Sequence, residues 1–251
     1  MLLLVLSCSA LIHFIAISSY AAKLSGGLLG KIATSISVMN ILLIASRAAS
    51  ALAIPMLNKH TELSLELPFE ESGQVMRYYL LAAAAGGISA LVLFGNLRSY
   101  FVLVIMDGGR NLIHSLIINI GSLFRRSKQS ETNTANSKVH KKVFIANMVG
   151  NAIWVAAPLS AILAGVLVPE YRGTAIHLSA VVNGVATIIL FSYCDPYFAK
   201  RLDAAKETEE SALMAEKAFN DAALSHFLGI GLAQVLLVPC AYIIAFSAEW
   251  L

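Results

Sequence analysis

The sequence predicts an all-α fold, a polytopic integral membrane helix bundle, and three observations carry that prediction. Only 13% of the 251 residues are charged against 58% hydrophobic, and the mean hydropathy is +0.74. Soluble domains carry about 25% charged residues, so a water-facing surface cannot be covered from this composition. Six segments, at about 1–22, 32–56, 76–97, 143–168, 174–195 and 223–247, read as spanning helices, since about 20 helical residues rise roughly 30 Å. The charges collect between those segments.

The first segment is apolar from Met1 to Ala22, with no Lys or Arg before Lys23. A cleaved signal would carry a basic start and a small-residue cleavage site, so this segment is expected to be a retained helix. The second runs from Ile32 to Pro55 with one charge, Arg47. In the third, Gly86-Gly87 predicts close packing or bending, as does Gly229-x-Gly231 in the last. Segment 98–124 begins apolar and then carries a polar stripe of Asp107, Arg110, Asn111, His114, Ser115, Asn119 and Ser122 opposite Leu112, Ile113, Leu116, Ile117, Ile120 and Leu123. That is the period of an amphipathic helix. It either lies in the membrane interface or spans with its stripe on a polar cavity.

In the second half, Pro169-Glu170-Tyr171-Arg172-Gly173 reads as a tight turn. Asp195-Pro196 is expected to stop the fifth span, with the acid needing a compensating contact because its sign opposes a helix C-terminus. Stretch 199–222 reads as a charged surface helix. Gln234 lies inside the last span, followed by Pro239, which should kink it. The whole is read as one transmembrane domain, 1–251, with a first half to about 124, a basic linker at 125–142 and a second half from 143.

Charge placement orients the helices. The linker holds Arg125, Arg126, Lys128, Lys138, Lys141 and Lys142 against Glu131, a net +5, and is expected in the cytoplasm. Segment 57–75 holds four glutamates against Lys59 and is expected outside. With 98–124 interfacial, Lys23, Lys31, Arg98, Lys200 and Arg201 all fall inside. That gives six spans, both termini outside and one or two interfacial helices; seven spans is the alternative. A faint internal echo places Ala33-Thr34-Ser35-Ile36-Ser37, then Asn40, against Ala175-Ile176-His177-Leu178-Ser179, then Asn183. Its spacing differs by one residue, so it reads either as chance or as two three-span halves of opposite orientation.

Enzyme chemistry finds little support. There is no HExxH, no Gly-rich phosphate loop followed by Lys, and no nucleophile elbow; the six histidines are scattered. Cys8, Cys194 and Cys240 lie in apolar segments without a CxxC or a Cys/His cluster. No metal, no cofactor and no nucleic-acid partner is expected. Arg47 is the most informative residue. A charge within a membrane helix costs at least ~2.5–3.5 kcal/mol, so a snorkelling side chain competes with a phosphate contact, for which the guanidinium fork is suited. Asp107 and Arg110, three apart, are set to pair on an exposed face or to meet substrate. Ser179, Asn183 and Thr187 form a polar ridge that either glues helices or binds ligand, with Gly184 beside it for close packing.

The motifs together resemble the Amj family of bacterial lipid II flippases. Asn40-Ile41-Leu42 followed by Ser46-Arg47 is similar to that family's N-I-L-x-x-x-S-R segment. Arg172-x-Thr174-Ala175-x-x-Leu178-Ser179, continuing to Asn183-Gly184-Val185-Ala186-Thr187-Ile188 and Asp195-Pro196, resembles its fifth span, and Ala233-Gln234 through Pro239 its last. Gly121-Ser122-Leu123 also fits, whereas 98–124 departs from a more basic family pattern and Asp107-Gly108-Gly109 is peculiar to this chain. The resemblance implies a multi-pass protein of the bacterial cytoplasmic membrane that carries lipid II, the undecaprenyl-diphosphate-linked disaccharide-pentapeptide, to the outer leaflet for peptidoglycan synthesis. Arg47 is then expected to meet the diphosphate, Asn40, Ser179, Asn183 and Gln234 to line the path, and Arg110 and Asp107 to contribute. So small a bundle suggests a homodimer or a headgroup sliding along an open groove. A membrane enzyme or an accessory protein acting on polyprenyl-linked precursors is the alternative.

Overall fold

The computed structural model describes residues 1–63, 69–107, 111–124 and 141–251, and every regular element among them is helical. In chain order these are α1 (Leu2–Leu28), α2 (Ile32–Leu63), α3 (Phe69–Val92), α4 (Phe94–Asp107), α5 (Leu112–Ile118), α6 (Lys141–Leu167), α7 (Arg172–Ile189), α8 (Asp195–Ala204) and α9 (Glu209–Trp250). A short 3₁₀ turn (Asn119–Phe124) extends α5, and a π-helical turn (Leu190–Cys194) joins α7 to α8. Six helical stretches are long and apolar enough to cross a membrane: α1, α2, α3, α6, α7 with α8, and α9. This is the number of spans the composition predicts. Segment 98–124 is not one of them, because α4 has 14 residues and ends at Asp107 while α5 starts afresh at Leu112.

Four helices make the centre. α1 packs on α3, α6 packs on α9, and α3 and α9 join the two pairs; α2 lies on α1 and α7 lies on α6 at the periphery. Small residues permit this. A Cβ on Gly86 of α3 would collide with the carbonyl oxygen of Ala10 on α1, and one on Gly229 of α9 would stand 2.7 Å from that of Met148 on α6. Without a hydrophobic drive between helices in lipid, such close backbone approach is what holds a bundle together. Hydroxyls add cross-links: Ser9 donates to the Tyr79 carbonyl at 2.8 Å and Ser160 to that of Leu237 at 2.9 Å. The two crossings are built alike, a glycine of the third long helix of a half against the early part of its first helix.

The helix ends follow their local chemistry. Gly30, at φ +68°, ends α1, and Lys31 N–H returns to the Gly26 carbonyl at 2.8 Å; glycine is the residue that takes this left-handed cap without cost. Ser35 at the start of α2 donates to the Ala22 carbonyl of α1, closing the hairpin. Asn111 caps α5 by accepting from the N–H groups of Ile113 and His114, and Thr208 caps α9 by accepting from Ser211 N–H.

Several features differ from the sequence expectation, among them the third span, which runs Phe69–Val92 instead of about 76–97. α2 runs through Pro55 to Leu63 instead of stopping near 56, as membrane helices tolerate an internal proline when neighbours satisfy the freed groups. Asp195-Pro196 does not end the fifth span: the π turn absorbs the register change and the chain continues as α8. The compensating contact exists all the same, Lys23 Nζ to Asp195 at 3.5 Å. Stretch 199–222 is not one surface helix; α8 ends at Ala204 and α9 is continuous from Glu209 through Pro239. Finally, a Cβ on Gly184 or Gly231 would meet no described residue within 4 Å, so the close packing expected at Gly184, and one of the two readings at Gly231, is not found there, unlike at Gly86 and Gly229.

Candidate functional site

Arg47 lies near the middle of the 32-residue α2, more than about 20 Å from either end at the helical rise. The helix buries Ser35 and Val38 and, two turns further on, a stripe of Ser46, Ala49, Ala53 and Leu57, and leaves Asn40, Ile44, Arg47 and Ala51 outside. Asn40 and Arg47, two turns apart, therefore share one exposed face. Arg47 makes no hydrogen bond or ion pair to any other described residue. The extension of α2 beyond Pro55 weakens the snorkelling reading, because the headgroup level lies farther away than the sequence boundary implied.

The predicted ridge on α7 is present but bonds inward. Ser179 donates to its own helix at Ile176, 2.7 Å away, and Thr187 does the same to Asn183 at 2.8 Å. The Asn183 side-chain oxygen is buried without a partner among the described residues. Among the described residues no hydrogen bond from this ridge reaches a neighbouring helix. Gln234 on α9 is tied elsewhere: its amide donates to the Arg77 carbonyl of α3 at 3.2 Å, and Arg77 returns a bond to the Gln234 carbonyl at 3.4 Å. Asp107 accepts from Ser115 at 3.0 Å. Arg110, and with it the expected Asp107–Arg110 pair, lies outside the described residues.

The two peripheral helices meet at one built contact. Arg172, the first residue of α7, directs one terminal nitrogen at the last turns of α2, to the Asn58 carbonyl (3.2 Å), the Asn58 side-chain oxygen (2.9 Å) and the Thr61 hydroxyl (2.8 Å), with Glu62 at 3.9 Å. The sequence places Arg172 in a turn and in the family-like motif, but without a partner. The contact is not legible there because Asn58 and Thr61 sit in what reads as a loop. Thus the structure brings Asn40 and Arg47 together on α2 and Ser179 with Asn183 on α7. No hydrogen bond among the described residues joins the α2 pair, the α7 ridge and Gln234.

An all-helical bundle of six candidate spans, with the Arg47 guanidinium exposed at mid-helix on a peripheral helix, is a multi-pass membrane protein. The chain belongs to the family described as Amj, alternate to MurJ, whose model matches residues 8–248. It is similar to the lipid II flippase Amj of Bacillus subtilis (strain 168), with 26% identity over 259 residues covering 96% of this chain and 94% of that protein. No solved structure matches it.

Proposed function

We propose that this protein is a transporter that moves lipid II from the cytoplasmic to the outer leaflet of the bacterial cytoplasmic membrane, supplying peptidoglycan synthesis, and that it does not act as an enzyme. Family membership and the Bacillus relative support the activity. The observation that carries the mechanism is Arg47, a guanidinium with no partner among the described residues, exposed at mid-helix on the face it shares with Asn40. A cation held there in lipid is costly unless an anion meets it, and a diphosphate offers the planar oxygen pairs that a guanidinium fork binds.

The headgroup's route follows the outside of the bundle. The centre is filled by residues such as Ala21, Leu80, Leu159 and Ala233, so a disaccharide-pentapeptide passes along the open faces of α2 and α7. Asn40 and Arg47 take the diphosphate, and Ser179 and Asn183 meet the sugar or peptide. Gln234, bonded to Arg77, and Asp107, bonded to Ser115, shape the flanks, with Arg110 adding charge. The polyprenyl tail stays in lipid. A second copy facing the same groove would make a homodimer of this arrangement, which membrane cross-linking from cysteines placed on α2 detects.

The test is growth of a strain stripped of its resident flippases, together with accessibility of lipid II at the outer face. Expression of this chain is expected to restore both. Failure of both in a strain that inserts the protein normally rejects the reading.

A further inference from the structure

Two histidines that the transport path leaves unused lie at the centre of the bundle. His13 of α1 and His226 of α9 are 3% and 4% exposed, their ring centroids 6.2 Å apart in an edge-on arrangement. His13 Nδ1 and both ring nitrogens of His226 are buried with no hydrogen-bond partner among the described residues. An unmet polar atom in such a site costs roughly 1–3 kcal/mol, and ionisable residues inside membrane helices mark proton and ion pathways.

The pair is not isolated. The Tyr20 ring stands 5.9 Å from that of His226, and its hydroxyl reaches the Asn147 side-chain oxygen of α6 at 3.5 Å. Asn147 donates to Ser225 of α9 at 2.7 Å, and Asn151 donates back to the Asn147 carbonyl at 2.7 Å. One face of α1 thus carries His13, Tyr20 and Lys23, and Lys23 meets the half-exposed Asp195 at 3.5 Å. Lys23 lies about 15 Å along the helix from His13, half the thickness of a bilayer core. Polar side chains are thus spaced along α1 from a partly exposed ion pair to the middle of the helix.

The place is also where the two groups of helices touch. His13 is one turn from Ala10, on which Gly86 packs, and His226 one turn from Gly229, which packs on Met148. A shift of α1 against α9, the contact between the two groups, changes the spacing of the two rings. Coupling-ion sites of membrane transporters lie at such midplane contacts between helix groups.

We propose that the His13–His226 pair is a proton-binding site through which proton movement is coupled to lipid movement, an inference that rests on the transport activity proposed above. The step is a proton gain and loss with no redox change. A proton from water at the Lys23–Asp195 end passes along Tyr20 to a free imidazole lone pair. The resulting imidazolium lies beside the second, neutral ring. The proton leaves to water on the other side when the helix groups have moved. The surrounding groups leave the charge to the pair. α6 presents the neutral Asn147 and Asn151, α3 presents Tyr79, and α9 adds Asp221 five residues before His226. Cys194 and Asp195 come from the α7–α8 side, Arg98 of α4 is paired with Glu216, and Arg47 of α2 is turned outward.

Proteoliposomes holding the full chain and lipid II, with an imposed pH difference, test this. Coupling at one proton per lipid drives the leaflet ratio of lipid II by about tenfold per pH unit at equilibrium. Wild type is expected to show that asymmetry, and His13→Gln and His226→Gln to lose it. A wild-type ratio that ignores the pH difference, or His variants that keep the asymmetry, overturns the proposal. Should the variants fail to fold, nitrogen NMR of the wild-type imidazoles decides. Scanned from about pH 8 to about pH 5, one ring of the pair is expected to gain a proton, and two rings neutral throughout defeat the site. Wild type that moves no lipid II at any pH rejects transport instead, and the NMR result then still reads the site by itself.

Discussion

α2 and α7 occupy matching places, each the second long helix of its half and each lying outside the central four, yet their arginines live differently. Arg172 stands at the N-terminus of α7, where a cation is unfavourable to the helix dipole. It is turned onto the last turns of α2, where carbonyl ends and Glu62 favour it, and it finds three acceptors within 3.2 Å. Arg47 stands at mid-helix, exposed and without a partner among the described residues. Residue type alone does not distinguish them; the supply of acceptors does. Arg172, held through one terminal nitrogen by acceptors of its own chain, is a clamp; Arg47, with no such acceptor among the described residues, is the one proposed to bind.

The largest effect expected from this contrast is on activity. Arg47→Ala is expected to reduce outer-face lipid II by about 10- to 100-fold, the range for losing a charge-assisted hydrogen bond, with the thermal midpoint unchanged. Arg47→Lys should fall between, since an ammonium keeps charge but not the fork. Accessibility of lipid II, normalised to inserted protein, measures both. Full activity in Arg47→Ala would make Arg47 a snorkelling residue and dissolve the contrast.

Arg172→Ala should act on the other axis. It strips Asn58 and Thr61 of their donor and is expected to cost ~1–3 kcal/mol of stability, read as a lower unfolding temperature in detergent. Lipid II exposure per folded molecule should hold. Unchanged stability with lost transport would exchange the roles of the two arginines. A smaller loss is expected for Lys23→Ala, because its partner Asp195 is half-exposed and such pairs contribute ~0–1 kcal/mol. It is checked by the same melting measurement at low and high salt, with the difference shrinking as salt rises.

How much of this the sequence announced follows the range of the physics. Span number came from hydropathy summed over about 20 residues, a signal that survives errors at the ends, and six spans were found. The ends themselves depend on single contacts. Nothing local at Pro55 announces that α2 continues to Leu63, and nothing at Asp195-Pro196 announces the π turn. Gly86 and Gly229 gave the right packing, whereas the same reasoning failed at Gly184 and Gly231, because a glycine marks that a backbone can come close and not that one does. Arg47 and Asn40 were visible because their shared face is set by helical period alone. Arg172 with Asn58, and His13 with His226, were not, since each pair lies more than 100 residues apart in the chain and only tertiary packing joins them.

The smallest effect sits on α7 and bears on what covers that helix. A Cβ at Gly184 meets nothing within 4 Å, while at Gly229 it meets Met148 carbonyl oxygen at 2.7 Å. Gly184→Ala should therefore be tolerated and, by helix propensity and a less flexible unfolded chain, should stabilise by ~0.5–1 kcal/mol. Gly229→Ala should destabilise. Melting both variants in detergent gives this difference directly. A loss at Gly184 that appears in membranes and disappears in detergent would mean that something outside the chain packs on α7 there. A second copy of the protein is one such neighbour, and cross-linking through that face would show it. The open face then becomes an interface, and the guanidinium on α2 must be weighed with its neighbour in place.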